Sequence, residues 1–211
     1  MLKITGDYAC FTAPDLSTER VSYDVPTPSA MIGVLSSIYW KPAFKWIIKR
    51  IWVLRPIKFD QIRRNEVKNK LSQKSAKMAM EKGQSFSIDV GAQRTQRATR
   101  FLTNVEYIVE ASIEAVQDDG DNFGKHYGVF TRRAKKGQSF RTPYLGCREF
   151  SCQFELFDGD PSELAIKESR NLGRMVFGID FTQEKPQTLM YPAFMDSGCI
   201  EVPHHLSTDV Y

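Results

Sequence analysis

Two amphipathic helical segments, each set between segments of strand character, constrain the fold of this sequence more than any other feature. Thr27 has the hydroxyl of a helix N-cap, and Pro28 follows at the first helical position, where its missing N–H costs nothing. Met31, Val34, Leu35 and Ile38 then fall at i, i+3, i+4 and i+7, one apolar stripe, and Pro42 predicts a stop at Trp40 or Lys41. In the second segment Phe123, Tyr127, Phe130 and Ala134 share a helical face, and Gly137 after Lys135 and Lys136 marks its end.

Strands are predicted around both helices. Residues 2–11 read as the first. Residues 46–51 fit helix or strand, and 52–59 read as a strand. Val105, Tyr107, Val109, Ala111, Ile113 and Ala115 alternate with mostly polar neighbours, the pattern of a half-buried strand. A last strand over about 148–156 puts Phe150, Cys152, Phe154 and Leu156 on one side. Between the third and fourth segments lies a basic insert over about 60–103, in which 65–81 suits a surface helix and 85–100 a loop or poorly ordered arm. This order predicts an α+β, ferredoxin-like (RNA-recognition-type) βαββαβ domain over 1–156. GRMVFGIDF and GCIEVP in the remainder, 157–211, predict a small C-terminal antiparallel sheet.

Charge points to a class of partner. From Lys41 to Arg100, sixteen Lys or Arg stand against four acids, a net +12 in a chain whose total is +4. Such a local field suits phosphate, and a solvated surface loop is the plainer alternative. Arg63, Arg64, Lys68, Arg94, Arg97 and Arg100 are the candidate RNA-binding residues. No apolar stretch is long enough to span a bilayer, and MLKITGDYACF has no signal-peptide pattern, so no membrane partner and a cytoplasmic location are expected.

Other chemistries find no support in the sequence. Cys10, Cys147, Cys152 and Cys199 are scattered without a C-x-x-C pair, and the adjacent His204 and His205 cannot supply zinc-ligand spacing; the thiols read as core fillers. No Walker loop, H-E-x-x-H, G-x-S-x-G or EF-hand loop is present, and no acidic group suggests a two-metal nuclease. No metal site and no cofactor are expected. RNA carries its own nucleophile: a base takes the 2′-OH proton, the oxygen attacks the adjacent phosphorus, and a 2′,3′-cyclic phosphate and a 5′-OH result. Tyrosine, lysine and histidine suffice for the proton transfers and for the charge of the phosphorane.

GKHY (124–127) brings suitable groups together. On a helix, Lys125 points well away from the Phe123–Tyr127 stripe and His126 lies at its edge, so both can face a groove; the alternatives are a solvated lysine and a boundary histidine. Tyr39, one position past the first apolar stripe, can lie beside the core with its hydroxyl exposed, or can be a packing aromatic. A phenol needs a nearby cation to act as a base, and Lys125 is a candidate for it.

Several blocks carry a family resemblance: GDYACF (6–11), VSYDVPTPSAMIGVLSSIYWKP (21–42), GKHY, YLGCREF (144–150), LGRMVFGIDF (172–181) and MDSGCIEVP (195–203). Together they resemble the CRISPR-associated repeat-processing endoribonucleases of type I-C systems, the "d" subclass of the fifth CRISPR-associated protein family. The resemblance implies metal-independent cleavage of the precursor transcript at the 3′ base of the repeat hairpin. It puts the catalytic tyrosine, lysine and histidine on Tyr39, Lys125 and His126. It also implies retention on the 5′ handle of the guide RNA, within a surveillance complex whose backbone and large subunits are the protein partners. A non-catalytic subunit that only caps the handle is the alternative.

Overall fold

The computed structural model describes residues 1–16, 19–68, 71–117, 120, 122–182, 184–204 and 207–210. His205 of the histidine pair lies outside them. Four strands and two helices build the centre: β1 (Leu2–Ala9), α1 (Pro28–Ile38), β3 (Phe44–Val53), β5 (Arg94–Ala115), α3 (Phe123–Lys135) and β6 (Gln153–Leu156). A two-residue strand, β2 (Arg20–Val21), lies between β1 and α1. A hairpin strand, β4 (Phe59–Val67), and a helix, α2 (Gln73–Glu81), lie between β3 and β5. The main strands run β6-β1-β5-β3, every neighbouring pair antiparallel, which is the ferredoxin-like order expected from the pattern.

The sheet does not end at β3. A short helix, α4 (Pro161–Leu164), precedes β7 (Arg170–Asp180), β8 (Gln187–Asp196) and β9 (Cys199–Glu201). β9 pairs with β3 through Ile51↔Ile200 and with β8 through Met195↔Ile200, so the C-terminal antiparallel strands continue the main sheet. Met175, Tyr191, Met195 and Ile200 are fully buried in the same core as Leu2, Ile4, Leu35 and Ile51.

α1 forms as its sequence dictates. Thr27 Oγ1 accepts from Ala30 N–H at 3.2 Å, and Met31, Val34, Leu35 and Ile38 are all buried. The middle of the chain differs from expectation. Residues 46–51 are strand, the predicted strand over 52–59 is instead the end of β3 and a turn through Pro56, and 65–67 close β4 ahead of the shorter α2. The predicted arm over 85–100 is strand from Arg94, because β5 runs on for 22 residues. At Asn104 the backbone takes φ +50, and there β5 passes from β4 (Phe59↔Leu102) to β3 (Val53↔Tyr107). This polar hairpin has no apolar face to print alternation into its sequence, so periodicity misses it.

Cys10 and Cys152 are buried as core fillers, Cys147 and Cys199 are half-buried, and all four are free thiols. Hydrogen bonding with Cys10 pulls the Cys147 thiol below its ordinary range. No described helix is long and apolar enough to cross a membrane.

Candidate active site

Tyr39 is fixed where α1 ends. It is the C-cap, with φ −155 and ψ 129, and its N–H still donates to Leu35 O at 3.0 Å. The chain turns extended there, and Trp46 Nε1 donates to the Tyr39 carbonyl at 3.0 Å, tying the cap to β3. The ring packs against Phe44 with centroids 5.6 Å apart. Sequence spacing left the hydroxyl exposed; in the structure Tyr39 is only 6% exposed, and its Oη hydrogen-bonds His126 Nδ1 at 3.1 Å.

His126 reaches that hydroxyl because α3 is turned from the predicted stripe. Asn122 caps α3, its Oδ1 accepting from Lys125 N–H at 2.9 Å. The buried positions are His126, Phe130 and Ala134, whereas Phe123 and Tyr127 are exposed; Phe130 and Ala134 are shared with the predicted stripe, so the buried face is turned by about 30° at 100° per residue. The imidazole, 3% exposed, therefore lies in the core rather than at a groove edge, 5.0 Å from the Phe44 ring. Phe44, Trp46 and Phe130 continue this aromatic cluster, with Trp46 and Phe130 centroids 4.8 Å apart. A buried polar group left without a partner costs about 1–3 kcal/mol, so Tyr39 and His126 each stabilise the burial of the other.

Lys125, on the same turn of α3, is exposed and is not buried with the other two. The cation fixed over Tyr39 is one that the sequence reading missed. Arg133 donates from Nη1 to Ile38 O at 2.9 Å, and its guanidinium stands 5.3 Å from the Tyr39 ring centroid. The signal was present: Arg133 is two helical turns beyond His126, on the same face of α3. Arg133 and Tyr39 also line an open cavity of about 670 Å³, together with Ser36, Trp40, Lys41, Phe140 and Arg141. His126 lies behind Tyr39, outside this lining. A phenol at the cavity wall, backed by imidazole and flanked by cations, can pass a proton inward while anionic charge is held outside it.

The six basic candidates all lie on or at the end of the β4–β5 hairpin, and the structure divides them. Opposite residues share a face, so Arg64↔Arg97 lies on one side, and Gln61↔Arg100, Arg63↔Ala98 and Val67↔Arg94 on the other. On the first side Arg64 pairs with Glu149, Arg97 with Glu66 at 3.3 Å, and Arg20 with both acids at 3.4 Å. The hydrogen bond from Arg64 holds the Glu149 carboxyl below the usual carboxylate range. On the other side Arg63, Arg94 and Arg100 are exposed, and Arg100 lies 3.7 Å over the Phe59 ring. Lys68, also exposed, extends the ladder by one bond to Gln93 O. Among the described residues no group of three or more His, Cys, Asp or Glu is placed to hold a metal ion.

Comparison with known proteins decides the family. The family model for Cas5d, described as CRISPR-associated protein (Cas_Cas5), matches residues 1–202. The chain belongs to the Cas5d family. A Cas5d from Mannheimia succiniciproducens, named as a CRISPR pre-crRNA endoribonuclease, is 42% identical, with 99% of this chain and 96% of the relative covered. A Thermus thermophilus Cas5d of the same name is 39% identical over 87% of this chain and 74% of the relative. A crystal structure of a CRISPR-associated protein superposes with a TM-score of 0.70 at 20% identity, covering 100% of this chain and 94% of the other, so the two share a fold that includes the C-terminal strands.

Proposed function

We propose that this Cas5d chain is an endoribonuclease that cuts CRISPR precursor RNA at the 3′ base of the repeat hairpin by metal-independent attack of a 2′-OH. The observation that carries the reading is the buried Tyr39–His126 hydrogen bond at the wall of a basic cavity. The names of its two curated relatives support the substrate. Tyr39 meets the RNA and exchanges the proton, and His126 Nδ1 relays it from behind. The 2′-oxygen bonds to phosphorus, the bond from phosphorus to the 5′-oxygen breaks, and that oxygen takes a proton; the products carry a 2′,3′-cyclic phosphate and a 5′-OH. Lys125 and Arg133 hold the charge of the phosphorane. After cutting, the protein keeps the 5′ handle of the guide RNA and joins the backbone and large subunits of a type I-C surveillance complex. Cutting of repeat RNA in excess EDTA is the expected result; loss of cutting on chelation would end the metal-independent reading.

The exposed side of the hairpin, with Arg63, Arg94 and Arg100, and the exposed Lys68 just past its end supply phosphate contacts in this reading. Replacing Arg63, Arg94 and Arg100 together by Gln is expected to lower the salt slope of binding by about 2, at roughly 0.7 per contact to single-stranded RNA. Arg64→Gln and Arg97→Gln, on the acid-paired side, are expected to lower the melting temperature and leave the slope nearly unchanged. Salt titrations of binding read both; an unchanged slope in the triple variant would remove this face from the RNA interface.

A further inference from the structure

The cavity at Tyr39 contains more than the reaction needs. Phe140 is 82% exposed and Trp40 56%, two large aromatic surfaces left in water on one cavity wall. Neither is on a loose segment. Trp40 directly follows the α1 cap, and Phe140 N–H donates to Ser37 O at 2.7 Å, with Arg141 N–H donating to the same carbonyl at 3.4 Å. The backbones that carry both rings are thus tied to the last turn of α1, which also sets Tyr39. Lys41, Arg133 and Arg141 line the cavity with them, and among the described residues no acid does.

We infer that this cavity is a subsite for an unpaired nucleotide of the RNA next to the scissile phosphate. Its base stacks on Phe140 or Trp40, and its phosphates meet Lys41 and Arg141. Exposed aromatics interleaved with cations are the elements by which proteins hold single-stranded nucleic acid, because every base offers a π-face and every nucleotide a phosphate. The volume, about 670 Å³, lies within the roughly 300–1,000 Å³ of small-ligand pockets. Because Tyr39 lines the same cavity, a nucleotide seated there is adjacent to the reacting bond. The subsite rests on the ribonuclease reading for its location in the RNA, but not for its chemistry. It confers strand positioning with little base preference, since stacking tolerates any base.

The test is equilibrium binding of repeat RNA made uncuttable by one 2′-deoxy nucleotide at the cut, with abasic substitutions scanned through the unpaired nucleotides beside it. Trp40→Ala and Phe140→Ala are each expected to weaken binding by about 5- to 100-fold without changing the melting temperature. At one flanking position the abasic RNA should bind the wild type as weakly as intact RNA binds the variant, and combining the two changes should cost no more. Trp40→Phe and Phe140→Trp should restore binding. If the wild type binds RNA and no abasic position is coupled to either ring, the subsite is overturned. If the coupling is found and cuttable RNA stays intact, the subsite stands and the ribonuclease reading falls; if the wild type binds no RNA, both fall.

Discussion

Tyr39→Phe is expected to slow single-turnover cutting of repeat RNA by about 10²–10⁴-fold, the usual worth of one positioned acid–base group. The change removes one oxygen and keeps the ring that packs on Phe44 and lies under Arg133. Its structural cost is the hydrogen bond to His126 Nδ1, about 1–3 kcal/mol for a buried partner left unpaired. Binding of uncuttable RNA should therefore persist. His126→Ala is expected to slow cutting comparably, and the Tyr39→Phe, His126→Ala double variant should be little worse than the poorer single, since residues acting as a unit are not additive. Because His126 is buried against Phe44, its variant needs a melting curve beside the rate. A Tyr39→Phe protein that cuts within about threefold of wild type would remove the phenol from the chemistry and assign the proton transfers to other groups.

The second large effect concerns stability. Gly146→Ala is expected to cost about 2–6 kcal/mol, from the left-handed backbone and from steric overlap. Gly146 has φ +81, and a Cβ there would lie 2.0 Å from the Cys10 carbonyl oxygen. That approach is part of a tight seam: Cys10 N–H donates to Leu145 O at 3.0 Å, and Leu145 N–H to Phe150 O at 2.8 Å. The same loop carries Glu149 to Arg64 and Arg20, so pushing it off β1 also loosens the hairpin. Natural domains have only about 5–15 kcal/mol in total. The melting temperature should fall by roughly 5–20 °C. Gly128→Ala is the control. It sits within α3 with nothing inside 4 Å of its would-be Cβ, and is expected to gain up to about 1 kcal/mol.

The legible and illegible parts of this chain differ in burial. The start and the buried face of α1 were readable because Thr27, Pro28 and four apolar positions all encode one capped, half-buried helix, but it stops at Ile38, short of the end at Trp40 or Lys41 that Pro42 implied. α3 was readable as a helix but not in rotation, since Phe123 and Tyr127 look like core on a wheel yet border a groove lined also by Trp46 and Phe130. That error hid the hydrogen bond of His126, which follows only from which face is buried. The β4–β5 hairpin was illegible because its strands pair through backbone while its side chains stay polar on both faces. The division of its arginines depends on register, in which a shift of one residue exchanges the faces. Tyr39 was named through family blocks rather than periodicity, Lys125 and His126 were already suitable by their place on the helix, and Arg133 needed only the step from His126 along the same helical face.

The central claim is that a Tyr39–His126 pair cuts RNA through the RNA's own 2′-OH. The most direct measurement is single-turnover cutting of repeat RNA in excess EDTA, with and without one 2′-deoxy nucleotide at the cut, followed by end-group analysis. The account predicts a 2′,3′-cyclic phosphate and a 5′-OH from the all-ribose RNA, and no cutting of the deoxy RNA, which should still be bound. Cutting of the deoxy RNA, or products ending in a 3′-OH and a 5′-phosphate, would contradict it.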